Sequence, residues 1–466
     1  MDDSDISNTD GPLSMSTTLS LSEFSNVSSH DSLVETESDG GNQVGKRKRI
    51  KKKKDELLPP EEKLRKCERR IKSYLDAQEQ ENAFEEILKL APLVKLVYGE
   101  QDWRYADACN KLAKGYLDVR GLGLQAVKHA ELAKCLILSC NTPQGTTEKN
   151  LFIKCIVEVY LCLGRALCQM GGKYKDAENS LLKSWQVLKS INKQSSTIQI
   201  PTSSANDDDL KKQIKLALAD VYIASKQADK AVSALNFAIK IISEKNSGKD
   251  EKLVPIYEKL VKAEKSRKKS EINYETVVEY RLKAHEISSG CHALNSTEVA
   301  DTALFLGRAY ADIDSIQAQK AAETYFNEAF SAYKSCLENN HPKTLKVEDE
   351  LARVLMRTER EDEAVKALKK SIAVKAEVFG ECSSQVANTN KLIGSVYLSQ
   401  GDVLNAHKFL NKCLVIETEL HGAQHWKTKA TTNTISLVQQ HPAFSKSKTA
   451  KLKERPNFSS TIKIKK

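Results

Sequence analysis

Between residue 61 and about residue 440, apolar and polar positions alternate with the period of an α-helix, in stretches of roughly 12 to 18 residues. One spacing recurs in these stretches. A large apolar anchor is followed by a small residue at +1, an apolar residue at +4, and apolar or small residues at +13, +17 and +20. Some copies need a longer turn between their halves, and the copies that begin at Ile71 and Leu260 are weaker. The anchors are Ile71, Leu112, Leu163, Leu218, Leu260, Leu306, Leu351, Ile393 and, in a last half-copy, Ile435.

This spacing predicts pairs of packed helices. Positions 0, +1 and +4 share one face of a first helix, and +13, +17 and +20 share one face of a second. Small residues at +1 and +20 let the two helices approach closely. Each pair leaves an apolar flank that the next pair covers, so the pattern predicts an all-α solenoid of about eight helical hairpins with a closing helix.

Breakers and polar stretches mark where the helices should end. Gly99, Gly290, Gly380 and Gly422 each follow an apolar run and predict helix C-caps. The acids at 207–209 predict the start of the helix anchored at Leu218. Polar stretches near 141–150 and 192–209 predict loop insertions in the array.

The segments outside the array have a different composition. Residues 1–60 are rich in Ser, Thr, Asp and Gly without an apolar period, which predicts a disordered segment. Residues 441–466 predict a basic disordered tail. The chain carries a net charge of +10, and much of this excess lies in residues 445–466. The array from 61 to 440 is therefore expected to be only mildly basic.

The repeat pattern resembles that of a known family. The anchor triplets and the small residues at +20 resemble tetratricopeptide (TPR) repeats, and the period near 42 is similar to the extended repeats of kinesin light chains. Residues 102–134 and 378–422 are similar to the tetratricopeptide-repeat protein 23 family, including its 23-like branch. The resemblance implies a TPR-type superhelical solenoid and a non-catalytic scaffold associated with primary cilia, Hedgehog signalling and microtubule-based structures.

The first helices of such an array line its concave surface, at −5, −2, −1 and +2 from each anchor. Mixed charge with scattered apolar residues suits an extended peptide or a partner helix. An ordinary solvated face explains any single one of these residues equally well. The predicted partner-binding residues are Asp107, Asn110, Lys111, Lys114, Asp301, Leu304, Phe305, Arg308, Lys346, Asp349, Glu350, Arg353, Asn388, Lys391, Leu392 and Ser395.

A basic arm precedes the array, formed by Lys46, Arg47, Lys48, Arg49, Lys51, Lys52, Lys53 and Lys54. Such a run is a candidate nuclear import signal, an electrostatic contact for tubulin tails, nucleic acid or anionic lipid, or simply a solvated linker. Basic arms at both ends favour a polyanionic partner such as a microtubule. No aromatic ladder accompanies them, so specific nucleic-acid binding is not expected.

The residue pattern does not indicate catalysis or a cofactor. The eleven cysteines contain no CxxC pair, and most fall in helical patterns as small apolar residues. No HExxH motif, metal-ligand spacing or set of nucleophile and base is present. We therefore expect no enzyme, no cofactor, no metal site and no small-molecule substrate.

The expected location is the cytoplasm, with the primary cilium or cytoskeleton implied by the resemblance and the nucleus as an alternative. No apolar stretch is long enough for a membrane span, and the N-terminus lacks the pattern of a signal peptide.

Three functions remain open. The first is a scaffold for a ciliary or cytoskeletal complex, and the second is a kinesin-light-chain-like cargo adaptor. The third is a microtubule or polyanion binder that acts through the basic arms. The adaptor would need a heptad coiled coil, whereas residues 61–90 are short for one and fit a hairpin.

Overall fold

The computed structural model describes residues 58–195, 204–246, 250–338, 340–442 and 444. These residues contain seventeen α-helices and no β-strand. The helices are α1 (Pro60–Asp76), α2 (Gln80–Tyr98), α3 (Trp103–Asp118), α4 (Gly123–Ser139), α5 (Thr146–Met170), α6 (Tyr174–Ser195), α7 (Ser204–Ala224), α8 (Ala228–Asn246), α9 (Val254–Lys265), α10 (Tyr274–Cys291), α11 (Thr297–Ala311), α12 (Ile316–Cys336), α13 (Pro342–Arg357), α14 (Glu361–Phe379), α15 (Ser384–Ser399), α16 (Val403–His421) and α17 (Trp426–Gln440).

Consecutive helices from α2 to α17 pack on one another, and the hairpins run from α1–α2 to α15–α16. Helix α1 meets α2 through Cys67, whose thiol donates to the carbonyl of Glu86, and through a shared apolar cluster. Every anchor of the sequence pattern lies on the first helix of a hairpin or on α17. The predicted all-α solenoid of about eight hairpins and a closing helix is therefore confirmed. Contacts divide the chain into residues 1–63 and 64–466. The array from residue 64 onward lies in the second unit, and of the first unit only residues 58–63, which include the start of α1, are described.

The small residue at +1 sets how closely the two helices of a hairpin approach. A Cβ atom on Gly164 would lie 2.5 Å from Leu181 Cγ, and one on Gly307 would lie 2.7 Å from the Phe326 ring. Both distances are shorter than a carbon–carbon contact of about 3.5–4.0 Å. The +17 side chain of the second helix therefore occupies the space that a larger +1 residue would need.

The core changes character along the array. One cluster of buried apolar side chains extends from Ala113 on α3 to Ala263 on α9. The hairpins after it are packed around smaller clusters. One difference lies at the residue 24 positions after the anchor, counted with allowance for the longer turns, which is aliphatic in the earlier hairpins and carries a polar group in the later ones. The buried residues at this position are Ile137, Leu188 and Ile242 in α4, α6 and α8, but Tyr333, Lys375 and Glu417 in α12, α14 and α16.

Lys375 shows how such a polar residue is accommodated. Its side chain is 2% exposed, and its Nζ donates to Asp349 Oδ1 at 2.6 Å and to Thr389 Oγ1 at 2.9 Å. The three residues come from α14, α13 and α15, so one buried ammonium group links three successive helices. Buried charges require such partners, because an isolated ion is strongly destabilised in a protein interior.

Most of the predicted helix ends are confirmed. Gly99, Gly380 and Gly422 cap α2, α14 and α16 with φ of +88°, +86° and +82°, a conformation that favours glycine. The prediction for Gly290 is wrong, because α10 continues through it to Cys291 and ends at His292. No heavy atom lies within 4 Å of a Cβ built on Gly290, so packing does not require a glycine at this position.

Two predicted loops are shorter than expected. Helix α5 begins at Thr146, inside the predicted 141–150 loop. Helix α6 continues to Ser195 and α7 begins at Ser204, so the acids at 207–209 lie within its first turns rather than ahead of it. Polar residues suit the first turn of a helix as well as a loop, which explains the error. Residues 196–203 lie outside the described residues, as do 1–57 and 445–466 of the predicted disordered segments.

Candidate functional site

The residues predicted to bind a partner lie on α3, α11, α13 and α15, and together they are called the first-helix face. On α3, Asp107 is half-buried and pairs with Lys111 Nζ at 2.8 Å. Burial acts against the charge of Lys111, but the Asp107 carboxylate outweighs it and raises the pKa of Lys111 above its ordinary value. Lys114 Nζ reaches the next hairpin and pairs with Glu158 at 2.6 Å.

Asp301 on α11 is a hydrogen-bonding centre rather than a free acid. It accepts from the Tyr333 hydroxyl on α12 and from Lys343 Nζ, at 2.7 Å, on α13. Burial and this carboxylate together raise the pKa of Tyr333 well above its ordinary value, so the phenol remains a proton donor. Asp301 thereby joins both helices of its own hairpin to the following hairpin.

Phe305 and Arg308 complete the predicted part of α11. The Arg281 guanidinium lies 4.8 Å from the centre of the Phe305 ring, a distance at which a cation is attracted by the ring face. Arg308 donates to Glu350 Oε1 at 2.6 Å across to α13, and Arg353 binds the other carboxylate oxygen of Glu350 at 2.8 Å.

The remaining predicted residues are on α13 and α15. Lys346 and Asn388 are exposed, and Lys346 forms no ion pair with another described residue. Lys391 Nζ donates to Thr431 on α17 at 3.0 Å. Ser395 donates to the carbonyl of Lys391 in its own helix at 3.1 Å, and Leu392 is half-buried.

Three of the four −2 positions are less accessible than the sequence prediction assumed, whereas the side chain of Lys391 is 38% exposed. Asn110 is fully buried and Leu304 is 4% exposed, so neither can contact a partner directly. Asp349 also points inward, toward Lys375. Asp349 shows the physical reason, because its carboxylate contacts Lys375 on the second helix of its own hairpin and Thr389 on the next first helix, and so lies in the packing between helices. Both amide atoms of Asn110 lack a hydrogen-bond partner within the described ranges.

Ion pairs that sequence reasoning missed join α3 to α5, α7 to α9, α9 to the C-terminal end of α11, and α11 to α13. Each pair joins side chains about one repeat apart, so opposite charges at that separation were the signal available in the sequence. Exposed pairs of this kind stabilise by about 0–1 kcal/mol each, but a series of them fixes the register of neighbouring helices. The pairs are Arg104–Glu148, Lys114–Glu158, Asp118–Arg165, Asp220–Lys259, Lys265–Asp312, Asp301–Lys343 and Arg308–Glu350.

The described residues contain no group of three or more His, Cys, Asp or Glu side chains arranged to hold a metal ion. All eleven cysteines lie within these ranges and are free thiols. Burial raises the pKa of Cys162 to about 12, so this thiol stays protonated at neutral pH. None of the described helices combines the length and apolar character that a membrane crossing requires. The basic arm at 46–54 lies outside the described residues.

Comparison with known proteins gives both relatives and a matching fold. No family model matches the chain. Tetratricopeptide repeat protein 23 of Rattus norvegicus is 31% identical over 402 residues, which cover 83% of this chain and 85% of the relative. Tetratricopeptide repeat protein 23-like of Mus musculus is 28% identical over 390 residues, which cover 83% and 82%.

A solved structure supports the fold alone. It is a signal transduction ATPase with a tetratricopeptide repeat sensor from Pyrococcus horikoshii, which superposes with a TM-score of 0.51 at 15% identity. The match covers 81% of this chain and 55% of that protein. The shared feature is therefore the stacked helical hairpin.

Proposed function

The chain belongs to the tetratricopeptide repeat protein 23 family, and we propose that it is a non-catalytic scaffold that assembles a ciliary or microtubule-associated protein complex through its first-helix face. The TPR fold itself implies protein partners, because stacked hairpins present long continuous surfaces suited to binding extended or helical segments. The link to cilia, Hedgehog signalling or microtubules rests on the family resemblance.

The series of ion pairs between first helices is the observation that carries this proposal. Ion pairs hold α11 and α13 in register, and Lys375 links α13 to α15 through Asp349 and Thr389. The exposed residues Lys346, Arg353 and Asn388 are therefore presented from a preorganised surface. A rigid surface binds with a smaller loss of conformational entropy than a flexible one. Lys346 and Arg353 add positive charge, which favours an acidic segment of the partner.

Proximity labelling of the tagged full-length chain in ciliated cells tests the proposal. The informative variant combines Lys346→Glu and Arg353→Glu, and we expect it to lose most ciliary or cytoskeletal neighbours. Lys366→Glu with Lys408→Glu is the matched control, because these two lysines are exposed on the second helices α14 and α16. The absence of ciliary and cytoskeletal neighbours from the wild-type chain would count against the proposal.

A second candidate is a polyanion binder that uses the basic arms. Its support is the charge of the run at 46–54 and of residues 445–466, which carry eight basic residues and one acid. Co-sedimentation with microtubules at rising salt is the test. We expect deletion of both arms to abolish binding, and unchanged sedimentation would remove this candidate.

The cargo-adaptor alternative has less support. Residues 61–90 form α1 and the first half of α2, two short helices of a hairpin rather than one long helix that could join a motor. Recovery of a kinesin heavy chain with the full-length protein would favour this alternative again. Its absence from a pull-down that recovers other partners would exclude it.

A further inference from the structure

A groove of about 1120 Å³ lies on the side of the array formed by second helices. Helices α12 and α14 form its walls, and α13 forms its floor. We call it the second-helix groove. Its apolar lining includes Phe330, Leu345, Leu351 and Leu355. The lining residues of α13 extend from 344 to 355, which corresponds to about 16 Å of helix, or three turns.

The groove is separate from the first-helix face. Successive residues of a helix are rotated by about 100°, so Thr344, Leu351 and Leu355 lie roughly half a turn around α13 from Lys346 and Arg353. The two surfaces are thus opposite sides of the same helix. A partner in the groove would leave the first-helix face accessible.

One end of the groove lies where the α13–α14 hairpin lacks an aromatic pair that the hairpins on either side have. In the α11–α12 hairpin Tyr325 stacks on Tyr310 at 5.6 Å, and in the α15–α16 hairpin Phe409 stacks on Tyr397 at 5.7 Å. The tyrosines Tyr310 and Tyr397 occupy +4 in the repeat. Tyr325 and Phe409 follow the small +13 residue by three positions.

In the hairpin between them, the same two positions are Leu355 and Ala367, and both line the groove. The smaller side chains leave a space that an aromatic ring fills in the hairpins on either side. The array therefore shows what kind of side chain fits this part of the groove.

Polar atoms without partners lie in the same groove. Among the described residues, Thr344 Oγ1, Glu348 Oε2 and Ser371 Oγ are buried and form no hydrogen bond. Thr344 is 1% exposed and Ser371 3% exposed, and all three residues line the groove. Thr344 and Glu348 are one turn apart on α13, with Ser371 on the wall formed by α14. Buried polar atoms usually have partners, so this cluster indicates a ligand that supplies hydrogen-bond donors.

We propose that the second-helix groove binds a short helical segment of a partner protein, with an aromatic side chain over Ala367 and a Lys or Arg directed to Glu348. The aromatic ring takes the place that Phe409 or Tyr325 fills in adjacent hairpins. The cation complements the unpartnered carboxylate oxygen. Two such side chains three or four residues apart share one face of a helix, and the three-turn groove matches the length of such a segment.

The test begins with a phage-displayed library of random peptides selected on the full-length chain. Enriched peptides are then synthesised, and their affinities are measured by fluorescence anisotropy. We expect an aromatic residue three or four positions from a Lys or Arg. Ala367→Phe, which places a ring of the chain's own in the gap, should weaken binding about tenfold or more, as should Glu348→Gln.

Ala373→Phe is the matched control, because Ala373 is exposed on the same helix but outside the groove. It should bind as the wild type does, and so should the Lys346→Glu and Arg353→Glu variant. Unchanged binding by both Ala367→Phe and Glu348→Gln would overturn the proposal, and so would failure to enrich any peptide. If deletion of residues 445–466 raised the affinity tenfold, the occupant would be the chain's own tail and the partner proposal would be wrong.

Discussion

Replacing Lys375 should destabilise the C-terminal hairpins more than any exposed substitution. The variant Lys375→Ile introduces the residue that the array carries at the same repeat position in α8, Ile242, so its size and shape are already tolerated there. It removes the ammonium group that lies 2.6 Å from Asp349 Oδ1 and 2.9 Å from Thr389 Oγ1. The Asp349 carboxylate, 19% exposed, is then left without its cation.

Breaking a buried ion pair on one side costs about 3–5 kcal/mol, and partial exposure of Asp349 favours the lower end, about 3 kcal/mol. A second variant removes both charges, as Lys375→Ile with Asp349→Ala. Because an uncompensated charge no longer remains, we expect the double variant to recover at least about 1–2 kcal/mol of that loss.

Urea denaturation followed by far-UV circular dichroism measures the free energy of unfolding of the three proteins. Hydrogen exchange then locates the change, which should concentrate in α13, α14 and α15. A single variant within about 0.5 kcal/mol of wild type would refute the reasoning. A double variant as unstable as the single one would also refute it, because packing rather than charge would then account for the loss.

Two further predictions concern packing and thiol chemistry. Gly307→Ala should destabilise the protein by about 1–3 kcal/mol in urea denaturation, because the new Cβ would lie 2.7 Å from the Phe326 ring. Gly290→Ala should stabilise it by about 0.5–1 kcal/mol, because no atom lies within 4 Å of its Cβ and alanine favours a helix over glycine. Equal effects of the two substitutions would contradict this account of the +1 position. The Glu419 carboxylate accepts a hydrogen bond from the Cys382 thiol and raises its pKa, so Glu419→Gln should lower that pKa and speed labelling by iodoacetamide near pH 8. An unchanged labelling rate, followed by mass spectrometry of the Cys382 peptide, would show that the carboxylate does not control this thiol.

The repeat pattern predicted the fold well because each hairpin is specified locally. The anchor and its +1, +13 and +17 residues determine which faces meet, and the same rule recurs along the array, with weaker copies at Ile71 and Leu260 and a half-copy at Ile435. Helix ends were harder to predict, as Gly290 and the acids at 207–209 show. Glycine and acidic residues have roles both inside and outside a helix, so composition alone does not determine which applies.

The accessibility of the candidate surface was predicted only in part, because it depends on contacts between helices. Asn110 is fully buried and Asp349 points toward Lys375 on α14, and nothing within their own helices reveals this. The sequence did not predict the groove beside Ala367 for the same reason. It becomes visible when the hairpin is compared with its neighbours, where Phe409 and Tyr325 stand at the corresponding position.

Site-specific photo-crosslinking in ciliated cells tests the central claim most directly. A photoreactive amino acid is placed at Asn388, exposed on the first-helix face, and in a parallel chain at Lys408, exposed on a second helix. The account predicts that crosslinks to ciliary or cytoskeletal proteins form from position 388 and are lost when Lys346→Glu and Arg353→Glu are added. Crosslinks that form only from position 408, or that persist unchanged in the charge-reversed chain, would contradict it.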